Sequence, residues 1–240
     1  MRALTALTLL LLAVPAAGSG LPSNLLDLSR RARYAVVADV TGHQTCPTAD
    51  GHIFTYVSFA NVKTLESEVG TPAPESIILR IPGGMIDGIV VMVTDAPVFR
   101  AGDRVLMFLT RDPQKQVPIV RGVAGVFLLP HDDTVRLMEG QPVILVDQIF
   151  DLTLDPWHKP SVEYARHWDP NMKAVIVDPP EWEPGNDPPP AQQKPLTFDQ
   201  FRARLADAWR EADRLGRLPK VLDSSPRRPY GEVPPDPRRQ

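Results

Sequence analysis

A mainly β domain, folded as a sandwich or barrel, is what three features of this 240-residue chain predict. Between residues 33 and 150, short β-branched and aromatic runs alternate with Gly, Pro and Asp, which is the spacing of strands joined by tight turns. Hydrophobic and charged fractions of 43% and 23% are those of a chain able to bury a core. Ten of the 27 prolines crowd residues 155–195, so regular ladders must lie before that stretch.

The elements follow in order. Residues 1–20 read as an export signal, with Arg2 ahead of an apolar run from Ala3 to Val14 and the small residues Ala16, Ala17 and Gly18 after it. That run is short of the roughly 20 residues a membrane span needs, so no integral span is expected after cleavage. The alternative is a retained anchor. Residues 21–150 form the β domain, opened by an amphipathic helix near Ser23–Arg33 in which Leu25, Leu26 and Ser29 share a side and Ser23 caps. Strands are predicted at 34–40, 53–62, 76–81, 88–94, 104–110, 118–120, 126–129 and 142–149. In the second, Phe54, Tyr56, Ser58, Ala60 and Val62 alternate with Thr55, Val57, Phe59 and Asn61, and both sets are partly apolar.

Residues 151–195 are expected to be an extended segment anchored by Trp157, Tyr164, Trp168 and Trp182, since large aromatics are mostly buried. Residues 196–217 are expected to be a helix. Thr197 and Gln200 have the spacing of a capping box, and Phe198, Phe201, Leu205 and Trp209 make one apolar stripe. The stripe docks on the chain's own β domain or on a partner. Past it, residues 218–240 are proline-rich and basic and are expected to be disordered.

The formal net charge of −3 argues against nucleic acid or an anionic membrane as partner. With the single cysteine Cys46, an exported chain forms no internal disulfide, so its stability must come from the core.

Val40-Thr-Gly42, Ile53-Phe-Thr55, Ile81-Pro-Gly-Gly84 with Gly88, the run from Ala96 to Leu109, Gly122 and Gly125-Val-Phe127 together carry a resemblance. Over residues 38–127 the chain resembles a widespread, poorly characterised group of exported bacterial proteins. The resemblance implies a small OB-like barrel, closed or partly open, similar to that of the tissue inhibitors of metalloproteinases. Those inhibitors depend on an amino-terminal cysteine and a disulfide framework. This chain has neither, so the likeness extends to shape and not to inhibition.

His43, Cys46 and His52 are the one cluster with metal-ligand chemistry, suited to zinc or copper if a hairpin gathers them. A solvated hairpin loop accounts for the same residues. No Gly-x-Ser-x-Gly elbow, His-Glu-x-x-His or phosphate-binding loop occurs, and His131-Asp132-Asp133 reads as a turn. Carboxylates such as Asp39, Glu66, Glu68 and Asp103 default to solvated surface. The sequence therefore points to a non-catalytic interaction module, in periplasm or medium, with an envelope protein as partner and no cofactor. A metal-binding protein or enzyme built on the histidine and cysteine loop is the alternative, and protease regulation by fold analogy the second.

Overall fold

The computed structural model describes residues 24–49, 51–110, 118–155 and 194–218. The expected export signal, the four aromatics from Trp157 to Trp182 and the tail from residue 219 lie outside them. A helix α1 (Leu25–Arg31) leads into β1 (Ala32–Pro47), β2 (Ile53–Ser67), β3 (Ile77–Pro82), β4 (Gly84–Ile86), β5 (Ile89–Val91) and β6 (Arg104–Thr110). A 3-10 turn (Gly122–Gly125) then precedes β7 (Val126–Leu128), β8 (Arg136–Leu137), β9 (Val143–Val146), β10 (Leu152–Leu154) and the long helix α2 (Phe198–Leu215). The fold is mainly β with two helices.

Six strands form one antiparallel sheet in the order β3-β2-β1-β6-β7-β8, while β9–β10 and β4–β5 are separate two-stranded sheets. Among the described residues no sheet closes into a barrel, so β3 and β8 remain edges. One face of the large sheet packs Ala35, Val37, Leu106 and Phe108 against α1, α2 and the β9–β10 pair. On the other, side chains from β3 (Ile77, Leu79), β6 (Val105, Met107) and β7 (Val126) share one cluster with Phe59 and Phe99. Among the described residues no helix packs into that second cluster. Phe59 and Phe99 meet edge to face, ring centroids 5.1 Å apart.

Both helices begin where local chemistry tells them to. Asn24, one residue later than the cap expected at Ser23, accepts from the backbone N–H groups of Leu26 and Asp27 at 2.9 and 3.1 Å. Its own amide reaches Asp151 Oδ1 at 2.6 Å, tying the helix start to the β9–β10 turn. In α1 the buried side chains are Leu25, Leu28 and Ser29, and Leu26 is only partly covered. The capping box of α2 forms as predicted, with Gln200 N–H donating to Thr197 Oγ1 and Thr197 N–H to Gln200 Oε1.

The first two strands run well beyond their predicted ends. Their ladder continues from Tyr34↔Ser67 to Pro47↔Ile53, so the stretch expected to be a polar loop is mostly strand. Alternation along β2 also breaks. Asn61 adopts a left-handed φ of 52°, and the pairing shifts between Val37↔Lys63 and Asp39↔Ala60. This bulge returns Val62 to the face of Val57 and Phe59, which unbroken alternation would forbid. Finally, β10 pairs with β9, so residues 152–154 belong to the β domain and not to the extension that was expected to begin at 151.

Candidate functional site

The structure does not gather His43, Cys46 and His52 into a ligand set. His43 and Cys46 lie three apart on β1, and an odd spacing points strand side chains to opposite faces. His43 is exposed, Cys46 is buried, and His52 sits beyond the turn, its carbonyl accepting from Thr48 N–H at 2.7 Å. Among the described residues no group of three or more His, Cys, Asp or Glu side chains is placed to hold a metal. His131-Asp132-Asp133 is a turn, with Asp132 Oδ1 accepting from Thr134 N–H at 3.1 Å.

The stripe offered as an interaction face, Phe198, Phe201, Leu205 and Trp209, docks on its own domain. Phe201 and Leu205 are fully buried, Trp209 nearly so, and Phe198 packs partly covered against the same cluster. Phe201 meets Phe127 at 5.0 Å between ring centroids. Polar groups fasten the two ends: Arg204 donates to the carbonyl of Asp147, and Arg30 Nε donates to that of Gly216 at 3.2 Å. Of the four, only Phe198 keeps an appreciable part of its surface uncovered.

An exposed apolar surface does exist, on the β4–β5 hairpin. Asp87 and Gly88 both have positive φ, 50° and 78°, the two-residue turn whose twist suits a tight hairpin. The arm carries Met85, Ile89, Val90, Met92 and Val93, all exposed, with Met92 reaching 69%. Met85 pairs with Val90 and Ile86 with Ile89, and since neighbours along a strand alternate, exposed Ile89 and Val90 place apolar side chains on both sides of the arm.

The base of the arm is fixed while its tip is bare. Thr55 Oγ1 donates to the Gly83 carbonyl at 2.8 Å and lies 3.1 Å from Thr45 Oγ1. A Cβ on Gly84 would fall 2.2 Å from Thr55 Oγ1, and one on Gly83 would fall 2.5 Å from the Val91 carbonyl oxygen. Only paired glycines let the chain pass this close, with φ of 91° and 134°.

A second feature is a polar cleft of about 440 Å³ lined by Asp39, Asn61, Val62, Lys63, Glu75 and Arg104. It lies at the β2 bulge, where Asn61 Nδ2 donates to Asp39 Oδ2 at 2.8 Å. Asp39 stands directly across the ladder from Arg104, and Lys63 across from Val37. None of these residues was singled out as a site by local pattern. Asp39 by itself reads as scattered surface charge, because strands 21 to 65 residues apart must pair before the group exists.

Two carboxylates have shifted acidity. Burial pushes Glu66 above its usual range, opposed mainly by the positive charge of Arg210 on α2. Burial also acts to raise Asp27, but hydrogen bonds and charge from Arg31 and Arg121, at 2.7 and 3.0 Å, outweigh it and hold the carboxyl below its usual range. Each is a helix-to-body contact and lies away from both surface features.

Among the described residues, no helix is long and apolar enough to cross a membrane. The chain matches no family model, no curated protein and no solved structure.

Proposed function

We propose that the protein is an exported, non-catalytic binding module of the cell envelope that engages a protein partner through the β4–β5 arm. The exposed arm carries this reading: five large apolar side chains on a hairpin whose base is clamped by Gly83, Gly84, Thr45 and Thr55. A two-stranded hairpin on its own is marginally stable in water, and apolar patches of this kind mark interaction sites. Methionine suits such a surface because its unbranched, polarisable chain adapts to a partner's contour. Export, the final compartment and an OB-like character of the six-stranded sheet are parts of the same proposal, supported by residues 1–20 and by the resemblance over residues 38–127.

A photo-crosslinking residue placed at Met92, and at exposed Ala203 as control, tests it in envelope extracts. A discrete adduct at Met92, absent at Ala203 and abolished by Ile89→Asp, is expected. Equal labelling at the two positions, or a turnover measured in an activity screen that survives Ile89→Asp, would overturn the proposal.

A further inference from the structure

We propose that the cleft at the β2 bulge binds a small zwitterion carrying a free ammonium and a free carboxylate, of the class of short linear peptides. Two cations and two anions line it, so it offers no net attraction to a polyanion or a polycation. Their order across the sheet is the informative point. Following the strands from β3 through β2 and β1 to β6, the side chains are Glu75 just before β3, Lys63, Asp39 and Arg104. The signs alternate.

Neighbouring strands are about 4.8 Å apart, so the row from Glu75 to Arg104 spans roughly 14 Å. That is the reach of about four extended residues. A simple anion drawn to Arg104 or Lys63 meets the repulsion of Asp39 between them, and a simple cation meets the converse. A ligand bearing both charges satisfies both kinds of group at once. The volume, about 440 Å³, is in the range of small-ligand sites.

Three further observations make this more than a charged surface. Lys63, Glu75 and Arg104 enter no ion pair among the described residues, although Arg104 lies directly across from a carboxylate. Their charges are left for a ligand. Asp39, by contrast, is half-buried and held by the Asn61 amide, so one carboxylate oxygen is oriented before anything binds. Asn61 itself holds a left-handed φ that costs a non-glycine residue free energy, and strain of that kind gathers at binding sites. The ammonium therefore sits at Glu75, at one end of the row, and the carboxylate at Arg104, at the other, with Lys63 and Asp39 facing the peptide carbonyl and N–H groups between them.

The test is calorimetric titration of the full-length protein with di-, tri- and tetraglycine, each also N-acetylated or C-amidated. Saturable binding is expected, at least tenfold weaker when either end is blocked. Arg104→Gln should erase the penalty for amidation while leaving the penalty for acetylation, and Glu75→Gln should do the reverse. Absence of saturable binding for all free peptides up to tens of millimolar, or equal binding of free and blocked peptides, would overturn the proposal even if a variant failed to fold. Ile89→Asp, on the β4–β5 arm that follows the far end of β3, should leave these titrations unchanged, so the cleft and the arm stand or fall separately.

Discussion

Truncation of Leu205 to alanine measures whether α2 is part of the core or a face kept for a partner. Leu205 is fully buried, in the cluster that holds Phe108, Phe127, Phe201 and Trp209. The substitution removes three carbon groups, at about 0.8 kcal/mol each, or roughly 2.4 kcal/mol of lost transfer free energy. A cavity term adds to this because Phe127 and Phe201 cannot collapse fully onto the space, bringing the total to about 3–4 kcal/mol. For a chain of this length each kilocalorie shifts Tm by roughly 2–4 °C, so a fall of about 6–16 °C is expected. Urea unfolding followed by circular dichroism gives the free energy directly, with Leu215→Ala as control. Leu215 is 47% exposed at the end of the same helix, and its truncation should cost less than about 0.5 kcal/mol. Equal small losses at the two positions would refute intramolecular docking of α2.

Other perturbations read other parts of the fold. Gly84→Ala puts a Cβ 2.2 Å from Thr55 Oγ1 at a φ of 134°, and should cost about 1–3 kcal/mol; an unchanged urea midpoint would contradict the clamped base of the arm. Ser29 Oγ is buried with no hydrogen-bond partner among the described residues, so Ser29→Ala should be neutral or slightly stabilising, by up to about 1 kcal/mol. A destabilised S29A variant would show that the hydroxyl is bonded. Glu66 has a raised folded pKa, so the native state holds its proton to higher pH than the unfolded chain does. Its contribution to stability is present below the ordinary value of 4.5 and is lost as pH rises through the folded pKa. Glu66→Gln should therefore gain on wild type from pH 4 to pH 7, and melting curves showing a constant difference would refute this. Asp27 has the opposite sign: its contribution is present at neutral pH and fades as pH falls below 3.8, so Asp27→Asn should be most harmful at neutral pH and harmless in acid. Deletion of residues 1–20 should retain the protein in the cytoplasm on fractionation, and unaltered export would remove the signal assignment.

Legibility in the sequence followed the range of the interactions. The capping box at Thr197 and Gln200 and the stripe through Phe201, Leu205 and Trp209 are set by spacings of three and four, so α2 was readable where it stands. Strands β3 and β6 are readable to within a residue, whereas β1 and β2 are readable as runs but not in extent. Gly42, Pro47 and the polar His43-Gln44-Thr45 look like a loop until β2 supplies the ladder opposite them. Two- and three-residue strands such as β8 and β10 have too little pattern to be seen alone. The arm had a legible local signal in Asp87-Gly88, yet the run Ile89-Val90-Val91-Met92-Val93 reads the same whether a strand is buried or bare. Exposure is decided by what packs above it.

By itself, the sequence determined the β character of residues 33–150, the start and buried face of α2, and the chemistry available at each position, because these depend on neighbours a few residues away. The tertiary structure decided three matters of function. Parity along β1 parts His43 from Cys46, packing buries Phe201, Leu205 and Trp209 of the α2 stripe, and the pairing of β1 with β2 and β6 brings Lys63, Asp39 and Arg104 to one cleft with Glu75. Those depend on which distant segments pair and with what offset, and a shift of one residue would turn each side chain to the other face.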